Sequence, residues 1–229
     1  MPGVAASLLL VGAVLAPLVD GTQLGPGWRV ATLPGQRVPV TRFTPELVQG
    51  RESLRIEAQR SYGNYVHDLQ GLPAPAALAW SWRLEAPAPS VDLQTKAGDD
   101  TPAKVCLSFD LPMAQVPFIE RQLLRLARAR TGEPLPAATL CWVWGGSLPR
   151  ETVLDNPFSR RVRYVVLRQA ADPAQTWLDE KRDVAADFLR AFGDESSQVP
   201  PVIAVIVAGD GDNAAGHSVA HVADLRFEP

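Results

Sequence analysis

Two acidic turns carry the side chains of this chain that are best suited to chemistry. The first is Gly98-Asp99-Asp100, which stands between two alternating segments that predict strands, Ala77–Glu85 and Lys104–Asp110. The second is Asp210-Gly211-Asp212-Asn213, directly after an apolar run. Carboxylates and amides on such turns can bind a hard cation or hydrogen-bond the hydroxyls of a sugar. The same composition is also typical of loops whose acids accept backbone N–H bonds.

A structural Ca²⁺ is the one cofactor that this pattern suggests, with Asp210 and Asp212 as its candidate ligands. The segment is not an EF-hand loop, because Ala214 and Ala215 stand where that loop needs an Asp or Asn and then a Gly. His217 and His221 are four residues apart, but zinc ligands at that spacing require a helix and this segment predicts a loop followed by a strand.

Motifs of established catalytic machinery are missing from the sequence. There is no phosphate-binding loop, no dinucleotide-binding glycine pattern and no Gly-x-Ser-x-Gly elbow. Paired carboxylates could serve a glycosidase, yet the sequence gives no separation between its acids. We therefore assign no catalytic residue from the sequence.

Composition indicates one β-rich domain. The chain has 229 residues, 21 prolines, 17 glycines and a formal net charge of −3. The many turn-forming residues fit a sheet protein with numerous connections. The weakly acidic balance gives no field that would favour nucleic acid, and the oligomeric state is not encoded in any pattern.

The first residues predict export. Val4–Val19 contains no charged side chain and is too short for a comfortable membrane span, which fits the apolar part of a secretory signal. We expect a signal peptide over residues 1–21, a linker over 22–27, and a single domain over 28–229 without a transmembrane span. The predicted location is periplasmic or secreted. There, Cys106 and Cys141 could pair if their strands were neighbours, or they could be two small buried side chains.

Hydrophobic periodicity then predicts the elements. Ala77–Glu85 places Trp80 and Trp82 on one face, which we assign to the core. If Lys104–Asp110 lies beside it, Arg83 and the polar residues of that strand would share a surface. Glu52–Ala58 and Ser61–Leu69 predict a hairpin.

The end of the chain predicts two further strands. Val202–Ala208 predicts a central strand, and Val219–Glu228 predicts a last strand with its odd-numbered residues on one face.

Two segments predict helices. Phe118–Arg130 mixes leucines and arginines at helical spacing and ends near Gly132. Asp172 and Pro173 predict the start of a second helix that runs to a left-handed cap at Gly193. The fold predicted from these elements is a mainly β sandwich with two flanking helices.

A set of short motifs also resembles a known family. In chain order the motifs are Trp80-x-Trp82-Arg83, Lys96-Ala-Gly-Asp-Asp100, Val143-Trp144-Gly145, Asn156-Pro157-Phe158 with Arg161-Val-Arg163, Arg182-Asp-Val-Ala-Ala-Asp187-Phe188, Asp210-Gly-Asp212-Asn213 and Ala223-Asp224-Leu225. Together, over residues 25–229, they are similar to an uncharacterised bacterial exported family described only as a domain of unknown function. That resemblance implies a galactose-binding-like β-sandwich, similar to jelly-roll carbohydrate-binding domains.

The leading functional hypothesis is a non-catalytic domain that binds a glycan or another component of the cell envelope. Its predicted ligand-binding residues are Arg83, Asp99, Asp100, Asp212, Asn213 and Asp224. One alternative is a glycoside hydrolase that uses paired carboxylates from the same loops. A second alternative is a structural protein whose basic helix Phe118–Arg130 contacts a partner.

Overall fold

Two β-sheets packed face to face form the body of the protein. The computed structural model describes residues 15–86, 91–214 and 216–229. A two-stranded ribbon, β1 (Val19–Asp20) with β2 (Gln23–Leu24), precedes the two large sheets. The prediction of a mainly β sandwich with two helices is confirmed.

The larger sheet has seven strands in the order β10-β11-β9-β8-β13-β6-β3. All its pairs are antiparallel except β11 with β9. In chain order its strands are β3 (Trp28–Ala31), β6 (Asn64–Leu72), β8 (Ala103–Phe109), β9 (Ala138–Trp144), β10 (Val153–Asn156), β11 (Ser159–Arg168) and β13 (Val202–Ala208). The prediction of β13 as a central strand is confirmed, since β6 and β8 flank it.

The smaller sheet has five antiparallel strands in the order β12-β7-β14-β5-β4. In chain order they are β4 (Arg42–Val48), β5 (Arg51–Gln59), β7 (Ala77–Leu84), β12 (Leu178–Asp183) and β14 (His217–Glu228).

Four tryptophans join the two sheets. Trp80 and Trp82 of β7 face Trp142 and Trp144 of β9, with ring centroids 5.6 Å and 5.5 Å apart across the sandwich. All four are fully buried. Their assignment to the core is confirmed, and a sugar-stacking platform is not available from them.

The two cysteines lie on the outer face of the larger sheet. Cys106 of β8 is directly opposite Cys141 of β9, and the two form a disulfide. A second apolar cluster covers this bond, with Leu93 from the segment after β7 packed over it. The disulfide ties β8 to β9. The segment above it buries the bond and shields it from solvent.

Strand partners were the weakest part of the sequence-based prediction. β7 and β8 lie in different sheets, and so do β5 and β6. Period-two alternation tells which face of a strand is buried but not which strand is its neighbour. The predicted shared surface of Arg83 and Lys104 is therefore wrong.

The first helix is confirmed and the second is largely corrected. Helix α1 (Phe118–Thr131) ends at Gly132, whose φ of 69° is left-handed. Helix α2 spans only Val184–Phe192, and Gly193 has a helical φ of −65° in place of the predicted left-handed cap. The charged segment before it is strand β12, because its alternating side chains let it pair with the edge of β7.

Helix α2 closes one end of the core. Its Asp183 cap accepts a hydrogen bond from the Ala186 backbone N–H. The Asp187 carboxylate accepts from Trp142 Nε1 at 2.7 Å, and Phe188 packs 4.6 Å from the ring of Phe109. These two contacts are with the larger sheet, and Arg182 of β12 in the smaller sheet donates to Asp187 at 2.8 Å, so the helix is fixed to both sheets.

Strand β14 contains a bulge that its sequence pattern concealed. The pairing with β7 shifts between Ala223 and Arg226, and Asp224 has a positive φ of 56°. Ala220, Val222 and then Leu225 therefore belong to the core. The prediction that all odd-numbered residues of this strand share one face is wrong, because the bulge moves the alternation by one residue.

The signal-peptide prediction falls mainly on residues 1–14, which lie outside the described residues. Leu15, Leu18 and Val19 are described and are buried in the core. The backbone oxygen of Leu18 accepts hydrogen bonds from Tyr65 Oη and the Gly25 N–H. In the described part of the chain, no helix is both long and apolar enough to span a bilayer.

We predict that replacing both cysteines, Cys106→Ala with Cys141→Ala, lowers the free energy of unfolding by about 3–4 kcal/mol. The 35-residue separation sets the entropy that the unfolded chain regains without the cross-link. Urea unfolding of the two proteins measures the difference, and a reductant should change only the wild type. Two reactive thiols in the unreduced, denatured wild type would contradict the bond.

Candidate functional site

The two acidic turns meet in the folded chain. The Asp100 carboxylate accepts hydrogen bonds from the backbone N–H groups of Asn213 (3.0 Å) and Ala214 (2.6 Å). The Asn213 side-chain amide donates to the backbone oxygen of Asp99 at 3.1 Å. We call Asp99, Asp100, Asp210, Asp212 and Asn213 the acidic-loop cluster. Its members come together, as a shared site would require, but most of their polar atoms are already hydrogen-bonded within the protein.

A buried ion pair lies at the centre of this cluster. Lys104 Nζ on the outer face of β8 contacts Asp210 Oδ2 at 2.5 Å, and the side chains are 9% and 4% exposed. The other Asp210 oxygen accepts from Thr101 N (2.7 Å) and Oγ1 (3.1 Å). Burial lowers the pKa of Lys104, but Asp210, Tyr164, Tyr62 and Asp99 together outweigh it and the pKa ends well above the usual range. The ammonium is therefore charged, and it neutralises Asp210.

Asp99 is enclosed by neutral donors. Its two oxygens accept from Tyr164 Oη at 2.9 Å and Asn156 Nδ2 at 2.5 Å. Burial raises the pKa of the Asp99 carboxyl, and the nearby negative charge of Asp210 adds to that effect while Lys104 opposes it. Since Asp99 is 6% exposed, a ligand could reach it only after the cluster opened.

Asp212 is the member of the cluster with an unsatisfied oxygen. Among the described residues, its Oδ1 is buried without a hydrogen-bond partner, and burial together with Asp210 raises its pKa. Asp210, the other candidate cation ligand, already binds Lys104 and Thr101 through both oxygens. In the described part of the chain, no group of three His, Cys, Asp or Glu side chains is placed to hold a metal. The Ca²⁺ site stays a prediction without a matching geometry.

Two glycines let the loops approach this closely. A Cβ added to Gly98 would lie 2.5 Å from the Asp92 backbone oxygen, and one added to Gly209 would lie 2.5 Å from that of Pro102. Neither position admits a side chain without moving backbone. The close approach of backbone at these two positions explains why a glycine precedes the acids of each turn.

Arg83 lies on the outer face of the smaller sheet, and its hydrogen bonds are to residues outside the acidic-loop cluster. Its guanidinium donates to Glu85 Oε1 at 3.1 Å and to the backbone oxygen of Gln175. The side chain is 9% exposed. It holds the segment before β12 onto β7, so its contacts are structural.

A serine, a histidine and an acid also line up on this face. Ser53 Oγ lies 3.4 Å from His221 Nδ1, and His221 Nε2 lies 3.1 Å from Glu85 Oε1. However, Ser53 donates to the backbone oxygen of Glu46 at 2.8 Å, and both Ser53 and His221 are buried. Burial lowers the pKa of His221, although the neighbouring Glu46 and Glu85 oppose this. The trio is a buried polar network without access for a substrate.

Asp224, the remaining predicted residue, belongs to an open cluster on the same sheet face. Arg51 Nη1 donates to Ser81 Oγ at 2.8 Å, to Asp224 Oδ2 at 3.2 Å and to Asp179 Oδ1 at 3.3 Å. Ser81 Oγ donates to Asp179 Oδ1 at 2.6 Å. We call Arg51, Ser81, Asp179 and Asp224 the Arg51 cluster. It brings together strands β5, β7, β12 and β14.

The Arg51 cluster lines a shallow depression. The cavity has a volume of about 370 Å³, and Lys181 and Arg226 complete its charged rim. Trp177 flanks it: the Arg51 guanidinium lies 5.3 Å from the centre of the Trp177 ring. Side-chain exposures of 38% for Arg51, 50% for Asp224 and 74% for Asp179 leave these groups accessible.

Sequence reasoning found one of the four residues in this cluster. Asp179 was assigned to a helix, so its side chain could not be placed on a sheet face. Arg51 and Ser81 carried no motif of their own. What the sequence did not reveal is that β12 pairs with β7 at the edge of the smaller sheet. The signal for that strand was the alternation of Leu178–Asp183 between half-buried and exposed residues.

Comparison with known proteins gives a family. A family model described as "Protein of unknown function (DUF3047)" matches residues 26–226. The curated proteins contain no match to the chain.

The chain is also similar, at low scores, to solved structures of two endoglucanases and one xyloglucanase domain. Endoglucanase cel12A from Rhodothermus marinus aligns at a TM-score of 0.40 and 14% identity, over 93% of this chain and 97% of that one. Endoglucanase 3 of Trichoderma harzianum, from family GH12, aligns at 0.40 and 10% identity, over 94% and 92%. The xyloglucanase domain of NopAA from Sinorhizobium fredii, in complex with cellobiose, aligns at 0.35 and 7%, over 86% and 94%. At such scores we draw no conclusion about activity from them.

We predict that Lys104→Met lowers the free energy of unfolding by about 3–5 kcal/mol, because it leaves the Asp210 charge buried and unpaired. Adding Asp210→Asn should recover part of that loss. Urea unfolding at neutral pH measures both. Arg29→Met, which removes the exposed pair with Asp68, is the matched control and should cost at most about 1 kcal/mol. If Lys104→Met and Arg29→Met lowered the free energy of unfolding equally, a structural role for the buried pair would be contradicted.

Proposed function

Because the chain belongs to the DUF3047 family, whose function is unknown, we propose its function from geometry: a non-catalytic domain that binds a glycan or another hydroxyl-rich component of the cell envelope. The binding face in this proposal is the outer face of the smaller sheet around the Arg51 cluster. The acidic-loop cluster serves the fold and not the ligand.

The observation that carries this proposal is the bulge at Asp224. A non-glycine residue with positive φ is uncommon, and bulges often re-aim a side chain beside a functional site. Here the bulge directs the Asp224 carboxylate toward Arg51 and Ser81. A strained residue that places an accessible charge supports a ligand-binding role.

The chemistry of the cluster suits neighbouring hydroxyls. Each sugar hydroxyl both donates and accepts a hydrogen bond. The carboxylates of Asp179 and Asp224 accept, and the guanidinium of Arg51 offers several donors in a fixed plane. The half-buried indole of Trp177 adds an aromatic ring beside Arg51.

The same face is poorly equipped for glycoside hydrolysis. A glycosidase needs one carboxyl of raised pKa to protonate the leaving group. The hydrogen bond from Ser81 lowers the pKa of Asp179, with Arg51 contributing, and the hydrogen bond from Arg83 lowers the pKa of Glu85. The carboxyls of raised pKa, Asp99 and Asp212, lie instead in the acidic-loop cluster. This contrast favours binding over the hydrolase alternative.

Export remains part of the proposal. A buried disulfide between neighbouring strands forms and persists most readily in an oxidising compartment, such as the periplasm or the cell exterior. Residues 15–24 contribute to the fold through Leu15, Leu18 and Val19. We therefore place the cleavage of a leader, in this proposal, before Leu15 and not at residue 21.

We predict that Asp224→Asn weakens glycan binding by about ten- to hundredfold, because it removes one charged acceptor of the ligand. Asparagine tolerates positive φ, so the bulge should persist. A glycan array followed by calorimetry on the best hit measures the change. Asp68→Asn changes an acid of comparable exposure, paired with Arg29 on the other sheet; it is the control and should bind as the wild type does.

Two results would overturn the proposal. A broad array and a polysaccharide pull-down that both stay blank at high protein concentration would exclude a glycan ligand. New reducing ends released from the bound polysaccharide, and lost in Asp212→Asn without loss of folding, would show that the protein is a hydrolase.

A further inference from the structure

Helix α1 presents its apolar side to solvent. Ile119, Leu123 and Leu126 follow one another at helical spacing and are 71%, 56% and 49% exposed, and Phe118 at the start of the helix is 69% exposed. Leu124 is the one buried residue of the helix. A globular domain normally packs such a stripe against its core, so the exposed stripe indicates a surface that binds another molecule.

The inward side of the helix holds the polar contacts. Arg128 donates from Nε and Nη2 to the backbone oxygen of Leu135 at 2.9 Å and 2.6 Å. Glu120 turns toward the buried Arg161, 3.7 Å from its Nε, and its side chain is 17% exposed. These contacts fix which side faces the body of the protein, so the apolar stripe is directed outward by the packing.

The outward side is cationic. Arg125 and Arg130 are exposed: Arg130 is one turn beyond Leu126 on the line of the stripe, and Arg125 lies on a neighbouring side of the helix. The only acid within the helix, Glu120, is on the inward side. Glu133, past the end of the helix, lies near Arg29: the hydrogen bond to Asp68 chiefly raises the pKa of that guanidinium, and the charge of Glu133 adds to the effect. An apolar stripe on a helix whose exposed charges are arginines is complementary to a surface that is both apolar and anionic.

A second copy of the helix fits this face less well than a lipid surface does. Two stripes packed together would bring arginines of both copies to one interface without an acid from either helix to pair with them, and like charges repel. At a bilayer surface the same apolar side chains enter the headgroup region while the arginines meet lipid phosphates.

We propose that α1 docks the protein onto an anionic phospholipid bilayer, lying in the plane of the surface with Ile119, Leu123 and Leu126 inserted and with Arg125 and Arg130 on lipid phosphates. The binding is peripheral and reversible, because one short helix with few apolar anchors does not hold a protein permanently. This surface is independent of the Arg51 cluster, which lies on the smaller sheet.

Vesicle sedimentation tests the proposal with the full chain. We expect binding to vesicles of phosphatidylglycerol and phosphatidylcholine, and little binding to phosphatidylcholine alone. Ile119→Ser with Leu123→Ser should weaken binding about tenfold or more, since each loses apolar insertion. Arg125→Glu with Arg130→Glu should weaken it similarly, and added salt should weaken wild-type binding.

Matched variants keep the result interpretable. Leu47 and Val40 are 69% and 50% exposed on the β4 side of the smaller sheet, so Leu47→Ser with Val40→Ser removes comparable apolar surface and should leave vesicle binding unchanged. All of these side chains are exposed, so circular dichroism should show an intact fold in each variant. Absence of wild-type binding to anionic vesicles would overturn the proposal. So would a concentration-dependent dimer that the Ile119 and Leu123 changes dissociate, because a second copy would then cover the face.

Discussion

The buried contact between Lys104 and Asp210 is the interaction on which the loop architecture of this protein depends. It ties the start of β8 to the segment between β13 and β14, and Thr101 and Asp100 complete the connection through backbone N–H bonds. A buried charge is tolerated only when it is paired and hydrogen-bonded. Asp99, Asp100 and Asp210 are therefore constrained first by the fold.

This constraint separates structure from function. Acids that stabilise buried loops are poor ligand groups, because binding would require them to give up partners that burial makes costly to lose. The Arg51 cluster is different: its three charged side chains are paired with one another but remain in contact with solvent, where exchange of partners costs little. The proposed binding face thus lies where charged side chains can be rearranged without opening the core.

The sequence predicted the parts of the fold that depend on local pattern. Trp80 and Trp82 in the core, the central strand β13 and helix α1 followed from periodicity and end signals. Strand partners did not follow, since alternation fixes a face and not a neighbour. Asp172 and Pro173 suggested a helix start, but pairing of Leu178–Asp183 with β7 overrode that local preference. Asp224 was identified from a motif, while its partners Arg51 and Asp179 became visible only through the sheet order.

Amide hydrogen exchange with and without the tightest glycan from an array tests the central claim most directly. The account predicts that bound glycan slows exchange in β12 and in β14 around Asp224, and leaves the loops that carry Asp99–Thr101 and Asp210–Asn213 unchanged. Slower exchange confined to those acidic loops would contradict it, because the ligand would then bind at the cluster that we assign to the fold.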